Sequence, residues 1–208
     1  MKRKITFGLI FIGILFTSFK IFDKIKTDNS AKISVLNDSS KEKLEAQIKE
    51  IKKVILANPK YNQEIAFFID MKIPSGKNRF FVYDLKKNAI IDHGLVAHGS
   101  GSETGIQGKL KFSNAYNSLA TSLGKYYIGK SYVGKFGKAY KLYGLDKTNS
   151  NAFGRSVVFH YYFDVPYAEQ ADYICNSYGC PMVNEKYFKR IEKILDNSKT
   201  NILLAIYY

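Results

Sequence analysis

The sequence has 208 residues, of which 46% are hydrophobic and 15% aromatic, so it can bury the core of one ordinary globular domain. Its net charge of +14 favours acidic partners such as nucleic acid, anionic lipid or an acidic cell wall. The lysines are spread along the whole chain. Because they form no discrete basic patch, we predict no nucleic-acid partner.

The N-terminus pairs a basic start with an apolar run. Residues 1–4 read MKRK, and residues 5–19 (ITFGLIFIGILFTSF) carry no charge. This order is typical of an export signal. The run falls short of the ~20 residues of a spanning helix, but with Lys20 snorkelling, residues 5–22 are long enough to anchor the protein in a membrane. We therefore predict a signal peptide or signal anchor over residues 1–22, and a location in the periplasm or elsewhere in the cell envelope. A buried core helix is the alternative, and it leaves the basic flank unexplained.

Residues 23–59 are predicted to form a tether and a helix. The stretch up to about residue 40 is polar with few large apolar side chains. Helical spacing of apolar residues follows, with Ser40 as the expected cap and Pro59 just past the end. The repeating positions are Leu44, Ile48, Ile51, Val54 and Ile55. We expect this helix to lie against the edge of the main domain.

Residues 60–208 are predicted to be mainly β with a few helices. Short segments rich in β-branched and aromatic residues alternate with turn-like stretches. The predicted strands are EIAFFIDM (64–71), RFFVYDL (79–85), AIIDHGLVAHG (89–99), SVVFHYYF (156–163) and NILLAIYY (201–208). One helix is predicted over NEKYFKRIEKILDNS (184–198), with Asn184 as its cap.

The stretch GKYYIGKS (124–131) matches the phosphate-binding pattern G-x-x-x-x-G-K-[ST]. A phosphate-binding loop joins a strand to a helix whose N-terminus faces the phosphates. The following residues, YVGKFGKAYKLYG, alternate and carry glycines, so they do not favour that helix. Export also removes the protein from cytoplasmic ATP. We therefore reject the nucleotide interpretation.

The residues able to perform chemistry are two cysteines and three histidines, His93, His98 and His160. Cys180 lies in SYGCP, where Gly179 and Pro181 favour a sharp turn that exposes the thiol and nearby amides. A thiol needs a base, and His160, 20 residues upstream, can face it. A disulfide between Cys175 and Cys180 is the alternative. No grouping has zinc spacing, so we predict no metal, and no cofactor is predicted.

The pattern H-x(16)-S-x-G-C, from His160 to Cys180, resembles the signature of the L,D-transpeptidase catalytic domain. These cysteine enzymes cross-link or trim bacterial peptidoglycan, and the match is closest to the branch with S-x-G-C-P. Upstream pieces resemble that branch in the same order, at residues 73–85, 96–102, 112–114, 121–146 and 151–155. The resemblance covers most of residues 64–208. It implies a β-sandwich or barrel with the catalytic cysteine on a turn in the cleft.

The resemblance also implies roles for individual residues. Cys180 is the nucleophile and His160 the base. The backbone amides of Tyr178, Gly179 and Cys180 hold the oxyanion, and Ser177 supports the turn or the histidine. His98 matches a position that lines the cleft, with a catalytic or a structural role. Tyr126 and Tyr127 are expected to line the peptide groove.

Two departures from the family pattern concern substrate binding. An arginine often follows the cysteine by two positions, where this chain has Met182. Arg155 is the best replacement for holding a substrate carboxylate, and a surface ion pair is the alternative. The segment after the histidine, YYFDVPYAEQ (161–170), lacks the usual glycine and small residue. The peptide preference is therefore expected to differ.

The predicted function is that of an exported peptidoglycan L,D-transpeptidase that forms a thioester with stem peptides. The alternatives are an L,D-carboxypeptidase and a non-catalytic cell-wall-binding protein. A sortase-like enzyme is disfavoured because the order SYGCP does not suit it. The acceptor and the oligomeric state stay open.

Overall fold

The computed structural model describes residues 36–208, so the predicted signal segment of residues 1–22 lies outside the described residues. Within this range the chain forms one nine-stranded sheet and two α-helices. The helices are α1 (Asp38–Ala57) and α2 (Glu185–Asn197). The strands are β1 (Tyr61–Asp70), β2 (Phe80–Asp84), β3 (Ala89–Gly94), β4 (Val96–Ala97), β5 (Gly124–Gly134), β6 (Gly137–Gly144), β7 (Val158–Tyr161), β8 (Met182–Val183) and β9 (Asn201–Tyr207). A short 3-10 turn covers Ser100–Ser102.

The sheet has the strand order β3-β2-β1-β9-β5-β6-β7-β8-β4. Its two outermost strands, β3 and β4, are separated in the chain by Leu95 alone. Because one continuous segment supplies both ends of the order, the sheet must curl until the ends meet. The predicted mainly β, barrel-like fold is therefore confirmed.

The third and fourth strands in this order, β1 and β9, form a parallel pair inside the sheet. Alternate side chains of these strands enter two different cores, so both faces are buried, as parallel strands require. The inner core contains Phe67, Ile69, Leu204 and Ile206, and the outer core contains Ala66, Phe68, Leu203 and Ala205.

Helix α1 covers the outer core. It contacts β1 and β9, which are interior strands of the sheet, so the expected position at the domain edge is wrong. The apolar outer face of these strands needs a cover, and fully buried Ile51 supplies part of it. Asn37 caps the helix, accepting from the Ser40 N–H at 2.8 Å. The predicted cap at Ser40 is therefore wrong, and the boundary at residue 60 stays a prediction.

Helix α2 covers the inner core, and its predicted cap is confirmed. The Asn184 side chain accepts from the Lys186 N–H at 2.9 Å. Tyr187, Phe188 and Ile191 are buried in the inner core. Neither helix described within residues 36–208 has the length and apolar character needed to cross a membrane.

The stretch GKYYIGKS belongs to β5, which pairs antiparallel with β6. A strand and a hairpin occupy the place where a nucleotide-binding loop would have a helix. The prediction that no helix follows this stretch is confirmed. The tip of this hairpin carries Phe136 toward His160 on β7, where the two rings stack.

Candidate active site

His160 and the Cys180 turn are brought together by the parallel pairing of β7 with β8. His160 lies on β7 opposite Met182, and Cys180 comes two residues before Met182. The sheet thus brings together two residues that are 20 positions apart in the sequence. His160 and Cys180 together line two cavities of about 220 and 230 Å³.

The hydrogen bonding of His160 fixes its tautomer. Its Nδ1 lies 2.9 Å from the Tyr161 carbonyl oxygen. A carbonyl only accepts, so Nδ1 carries the proton and Nε2 keeps its lone pair. Within residues 36–208, Nε2 has no hydrogen-bond partner. Burial lowers the pKa of His160 below its ordinary value of 6.5, against the smaller opposing effect of the carbonyl. The imidazole is neutral at neutral pH, with its basic nitrogen available.

Phe136 at the β5–β6 hairpin tip covers the His160 ring. The two ring centroids are 5.6 Å apart and the planes differ by 18°. Phe136 also meets Tyr162 edge-on at 5.6 Å, and it lines both cavities that contain Cys180. Sequence reasoning missed this residue. The signal that marks it is a single aromatic residue between the two glycines of GKFG (134–137) at a hairpin tip.

The Cys180 thiol is held by backbone groups. Its sulfur accepts from the Val158 N–H at 3.4 Å and lies 3.8 Å from the Ser156 carbonyl oxygen. Burial raises the pKa of the Cys180 thiol, with Val158 and Arg155 opposing the shift. The resting sulfur is therefore protonated and needs a base. Among the described residues the sulfur makes no hydrogen bond to His160, and both cysteines are free, so the disulfide alternative is wrong.

The turn before Cys180 has one engaged amide and two available ones. Gly179 has a φ of +117°, a conformation that favours glycine. Its N–H donates to the Ser177 Oγ at 3.0 Å, which gives Ser177 the expected supporting role for the turn. Within residues 36–208 the amides of Tyr178 and Cys180 have no acceptor. Because the serine hydroxyl already occupies the amide of Gly179, only the amides of Tyr178 and Cys180 remain as predicted oxyanion donors.

Arg155 fastens a neighbouring loop. Its guanidinium donates to the carbonyl oxygens of Ser113 and Ala120 at 2.8 and 2.6 Å, to the Ser118 Oγ at 3.1 Å, and to the Ser122 hydroxyl. Among the described residues it forms no ion pair, so the surface ion-pair alternative is wrong. Four of its five N–H groups are used, which leaves Nε alone for a substrate. Its charge lies beside the turn and partly opposes the rise in the pKa of Cys180 that burial causes.

His98 lines neither Cys180 cavity but lies in the wall of a third cavity, so its predicted place in the substrate cleft stays a prediction. It is 2% exposed, and both ring nitrogens are bonded. Its Nδ1 lies 2.9 Å from the Arg79 Nη2, and its Nε2 2.7 Å from the Glu103 carboxylate. Arginine only donates, so Nδ1 accepts and the Nε2–H donates to Glu103.

His98 nevertheless contacts the turn before Cys180 through its backbone. Its carbonyl accepts from the Ser177 N–H at 2.8 Å. Glu103 extends this connection, because it also accepts from the Asn176 side chain at 3.3 Å. Asn176 lines one of the Cys180 cavities.

The two tyrosines predicted to line the groove do not do so. Tyr126 is fully buried in the inner core and donates from its hydroxyl to the Ser122 carbonyl at 2.7 Å. Tyr127 faces the other side of the strand and stacks on Tyr143 at 4.5 Å. Both faces of β5 are covered at this level, so neither ring reaches the cleft. Farther along the strand, Tyr132 lines a Cys180 cavity.

No group of three or more histidine, cysteine or acidic residues within 36–208 is arranged to hold a metal ion. The site is thus described by a thiol, an imidazole and backbone amides. These are the functional groups that a cysteine acyl-transfer enzyme uses.

Comparison with known protein families identifies the family to which the chain belongs. Residues 36–207 match the L,D-transpeptidase catalytic domain, so the chain belongs to this family. Comparison with curated protein sequences gives no match.

The fold is similar to solved L,D-transpeptidase structures at low sequence identity. One, from Xylanimonas cellulosilytica DSM 15894, is 13% identical with a TM-score of 0.38, covering 70% of this chain and 61% of that one. The Ldtfm-avibactam carbamoyl enzyme is 9% identical with a TM-score of 0.42, covering 71% and 50%. Mycobacterium tuberculosis L,D-transpeptidase 1 is 8% identical with a TM-score of 0.35, covering 70% and 62%. The match thus spans between half and about three fifths of those chains. The family assignment rests on the sequence match.

Proposed function

We propose that this protein is an exported L,D-transpeptidase that acts on peptidoglycan stem peptides through Cys180. The observation that carries the proposal is the available Nε2 of His160 in cavities shared with the Cys180 thiol. A neutral imidazole beside a protonated thiol is the resting state from which a nucleophile is generated on demand. Membership of the family supplies the substrate class.

The first half-reaction forms a thioester. The His160 Nε2 takes the proton of the Cys180 thiol, and the sulfur attacks the carbonyl carbon of the L,D-peptide bond. The oxyanion is held by the amides of Tyr178 and Cys180. When the tetrahedral intermediate collapses, the imidazolium gives its proton to the leaving amine of the terminal D-residue. The acyl group stays on sulfur, and His160 is neutral again.

The second half-reaction releases the acyl group. An acceptor amine gives its proton to the His160 Nε2 as its nitrogen attacks the thioester carbonyl. The C–S bond then breaks, and the imidazolium returns the proton to the Cys180 sulfur. Water in place of the amine makes the same enzyme an L,D-carboxypeptidase. The identity of the acceptor thus decides between two activities of one site.

The sequence supports a location in the cell envelope. Residues 1–22 combine a basic start with an apolar run, and a signal peptide or a membrane anchor is proposed there. The net charge of +14 would retain the protein among acidic wall polymers and anionic lipid head groups. Detection of the protein in envelope fractions tests this part, and a purely cytoplasmic product would overturn it.

The catalytic proposal is tested with purified protein and a synthetic stem tetrapeptide that ends in a D-residue. Intact-protein mass spectrometry detects the acyl adduct, and peptide mass analysis identifies the products. We expect an adduct and release of the D-residue with the wild type and with Cys175→Ala, and neither with Cys180→Ala. Cys175 is the matched control because it is the other free cysteine.

The products separate the alternatives. Cross-linked dimers of the peptide identify a transpeptidase, and hydrolysis alone identifies a carboxypeptidase. Peptide binding without any adduct would identify the wall-binding protein. An adduct that survives in Cys180→Ala would remove the proposed mechanism.

A further inference from the structure

A third cavity of about 390 Å³ lies next to the candidate active site. Glu103 is part of its wall and also accepts a hydrogen bond from Asn176, which lines a Cys180 cavity. The two spaces are therefore separated by one side-chain contact. His98, which the sequence predicts to line the substrate cleft, lies in the wall of this cavity.

The wall of this cavity includes a buried cation. Arg79 is 1% exposed, and its guanidinium donates twice to the Val96 carbonyl, at 2.9 and 2.7 Å. It also donates to the Ile73 carbonyl at 3.2 Å and to the His98 Nδ1 at 2.9 Å. Four of its five N–H groups are used, and within residues 36–208 the fifth has no acceptor.

Arg79 also has no ion-pair partner within residues 36–208. Burial lowers its pKa to about 9, with Asp70 and Glu103 opposing the shift from a distance, so the group is charged at neutral pH. A buried charge normally has a counter-charge in contact, because desolvation is costly without one. A ligand anion in the cavity would supply that partner.

The rest of the wall adds positive charge. Lys72 and Lys109 are exposed and line the cavity, so three cationic side chains stand against the single carboxylate of Glu103. That carboxylate is occupied by the His98 Nε2–H and by Asn176. The cavity therefore carries a net positive charge that attracts an acidic ligand, and its one carboxylate, that of Glu103, is already hydrogen-bonded.

We propose that this cavity is a subsite for a free carboxylate of the acidic stem peptide whose acyl group is transferred at Cys180. The inference rests on the proposed function for the identity of the peptide. Members of the family often have an arginine two positions after the cysteine, where this chain has Met182. The subsite would supply a different group for binding the substrate carboxylate. It also accounts for the hydrogen-bonded network of Arg79, His98 and Glu103. This network holds a cation in the cavity wall, and Glu103 connects that wall to Asn176 beside the catalytic turn.

The test measures peptide binding to protein carrying Cys180→Ala, so that no turnover occurs. The probes are an acidic stem tetrapeptide with free carboxylates and the same peptide fully amidated. We expect Lys72→Gln with Lys109→Gln to weaken binding of the acidic probe by about tenfold, as for the loss of charged contacts. The amidated probe is expected to bind weakly and equally to both proteins.

The matched control removes the same charge elsewhere. Lys86 and Lys87 are exposed in the turn between β2 and β3, and they do not line the cavity. Lys86→Gln with Lys87→Gln is expected to leave the dissociation constant within about twofold, because exposed ion pairs contribute little. Amide chemical shifts of residues 105–109 are expected to move on titration with the acidic probe.

Equal weakening by both double variants would overturn the subsite and indicate a general charge effect. Shifts confined to the Cys180 cavities would overturn it as well. The proposed function fails separately, because it predicts an acyl adduct on wild-type Cys180. An adduct with no effect of Lys72 and Lys109 removes only the subsite. Binding at residues 105–109 with no adduct removes only the catalytic proposal.

Discussion

The surroundings of His160 and of His98 differ in one respect that decides what each histidine can do. Both rings are buried, and burial is the largest cause of a lowered pKa in both. His160 donates from Nδ1 to a carbonyl and keeps a lone pair on Nε2, facing a cavity. His98 has the opposite tautomer, and both of its ring nitrogens are hydrogen-bonded to charged neighbours. Burial makes a histidine neutral, but the partner of Nδ1 determines whether it can act as a base.

The largest expected effect on kcat/KM comes from replacing His160, the proposed base. His160→Gln removes the proton acceptor for Cys180, and we expect kcat/KM to fall by about 10² to 10⁴, the usual contribution of a general base. His93→Gln is the control, since this histidine lies on β3 and lines neither Cys180 cavity. Both variants are measured for D-residue release. An equal loss in the control, or less than a tenfold loss in His160→Gln, would contradict the assignment.

Replacing the second histidine is expected to cost stability more than catalysis. His98→Ala removes one hydrogen-bond partner from Arg79 and one from Glu103, and we expect about 1–3 kcal/mol less free energy of unfolding. The kcat/KM of the folded protein is expected to fall less than tenfold, because His98 does not meet the thiol. Chemical denaturation and peptide release measure the two effects. A large kinetic loss at unchanged stability would make His98 a catalytic group.

The pH dependence follows from the lowered pKa of His160. The base must be unprotonated, so kcat/KM is expected to be constant at neutral pH and to fall as pH drops below 6.5 and through the lowered pKa. The stability contribution has the same sign. A depressed histidine pKa stabilises the fold above 6.5, and this stability is lost as pH falls through the folded-state value. A rate that rises on acidification would exclude a neutral imidazole as the base.

The smallest expected effect concerns the ring that covers His160. Phe136→Ala exposes the imidazole, so its pKa should rise toward 6.5 and the acid limb of the rate profile should shift to higher pH. At neutral pH we expect kcat/KM to fall only about threefold, because proximity is perturbed and the base remains. Phe163→Ala is the matched control, since that ring is 75% exposed and packs at a tilt against Tyr162 rather than on His160. An identical acid limb in both variants would remove the proposed covering role.

The sequence predicts the parts of the site that depend on local chemistry. The order SYGCP determines a glycine turn with a thiol after it, and the strand SVVFHYYF predicts the element that carries His160. The mainly β fold follows from alternation and turn residues. Asn184 is predictable as a helix cap, because capping depends on a few neighbouring residues.

The rest depends on contacts between distant segments. Tyr126 and Tyr127 belong to a strand covered on both faces, which a single strand's pattern does not reveal. The Arg79–His98 pair joins residues 19 apart, and the Glu103–Asn176 contact joins residues 73 apart. The engagement of the Gly179 amide by Ser177 is local, yet it depends on the serine rotamer. These contacts set the tautomer of His98 and the available oxyanion donors.

The strand order has a consequence for the route by which the protein folds. β9 lies between β1 and β5, although it follows every other described element in the chain. Until residues 201–207 are inserted, the sheet consists of two hydrogen-bonded halves, one carrying β1–β3 and the other β4–β8. Strand pairings across such long sequence separations form slowly, because the chain loses loop-closure entropy before the stabilising contacts are made. A truncated chain that ends after α2 would retain His160 and Cys180 and still lack the strand that unites the two halves.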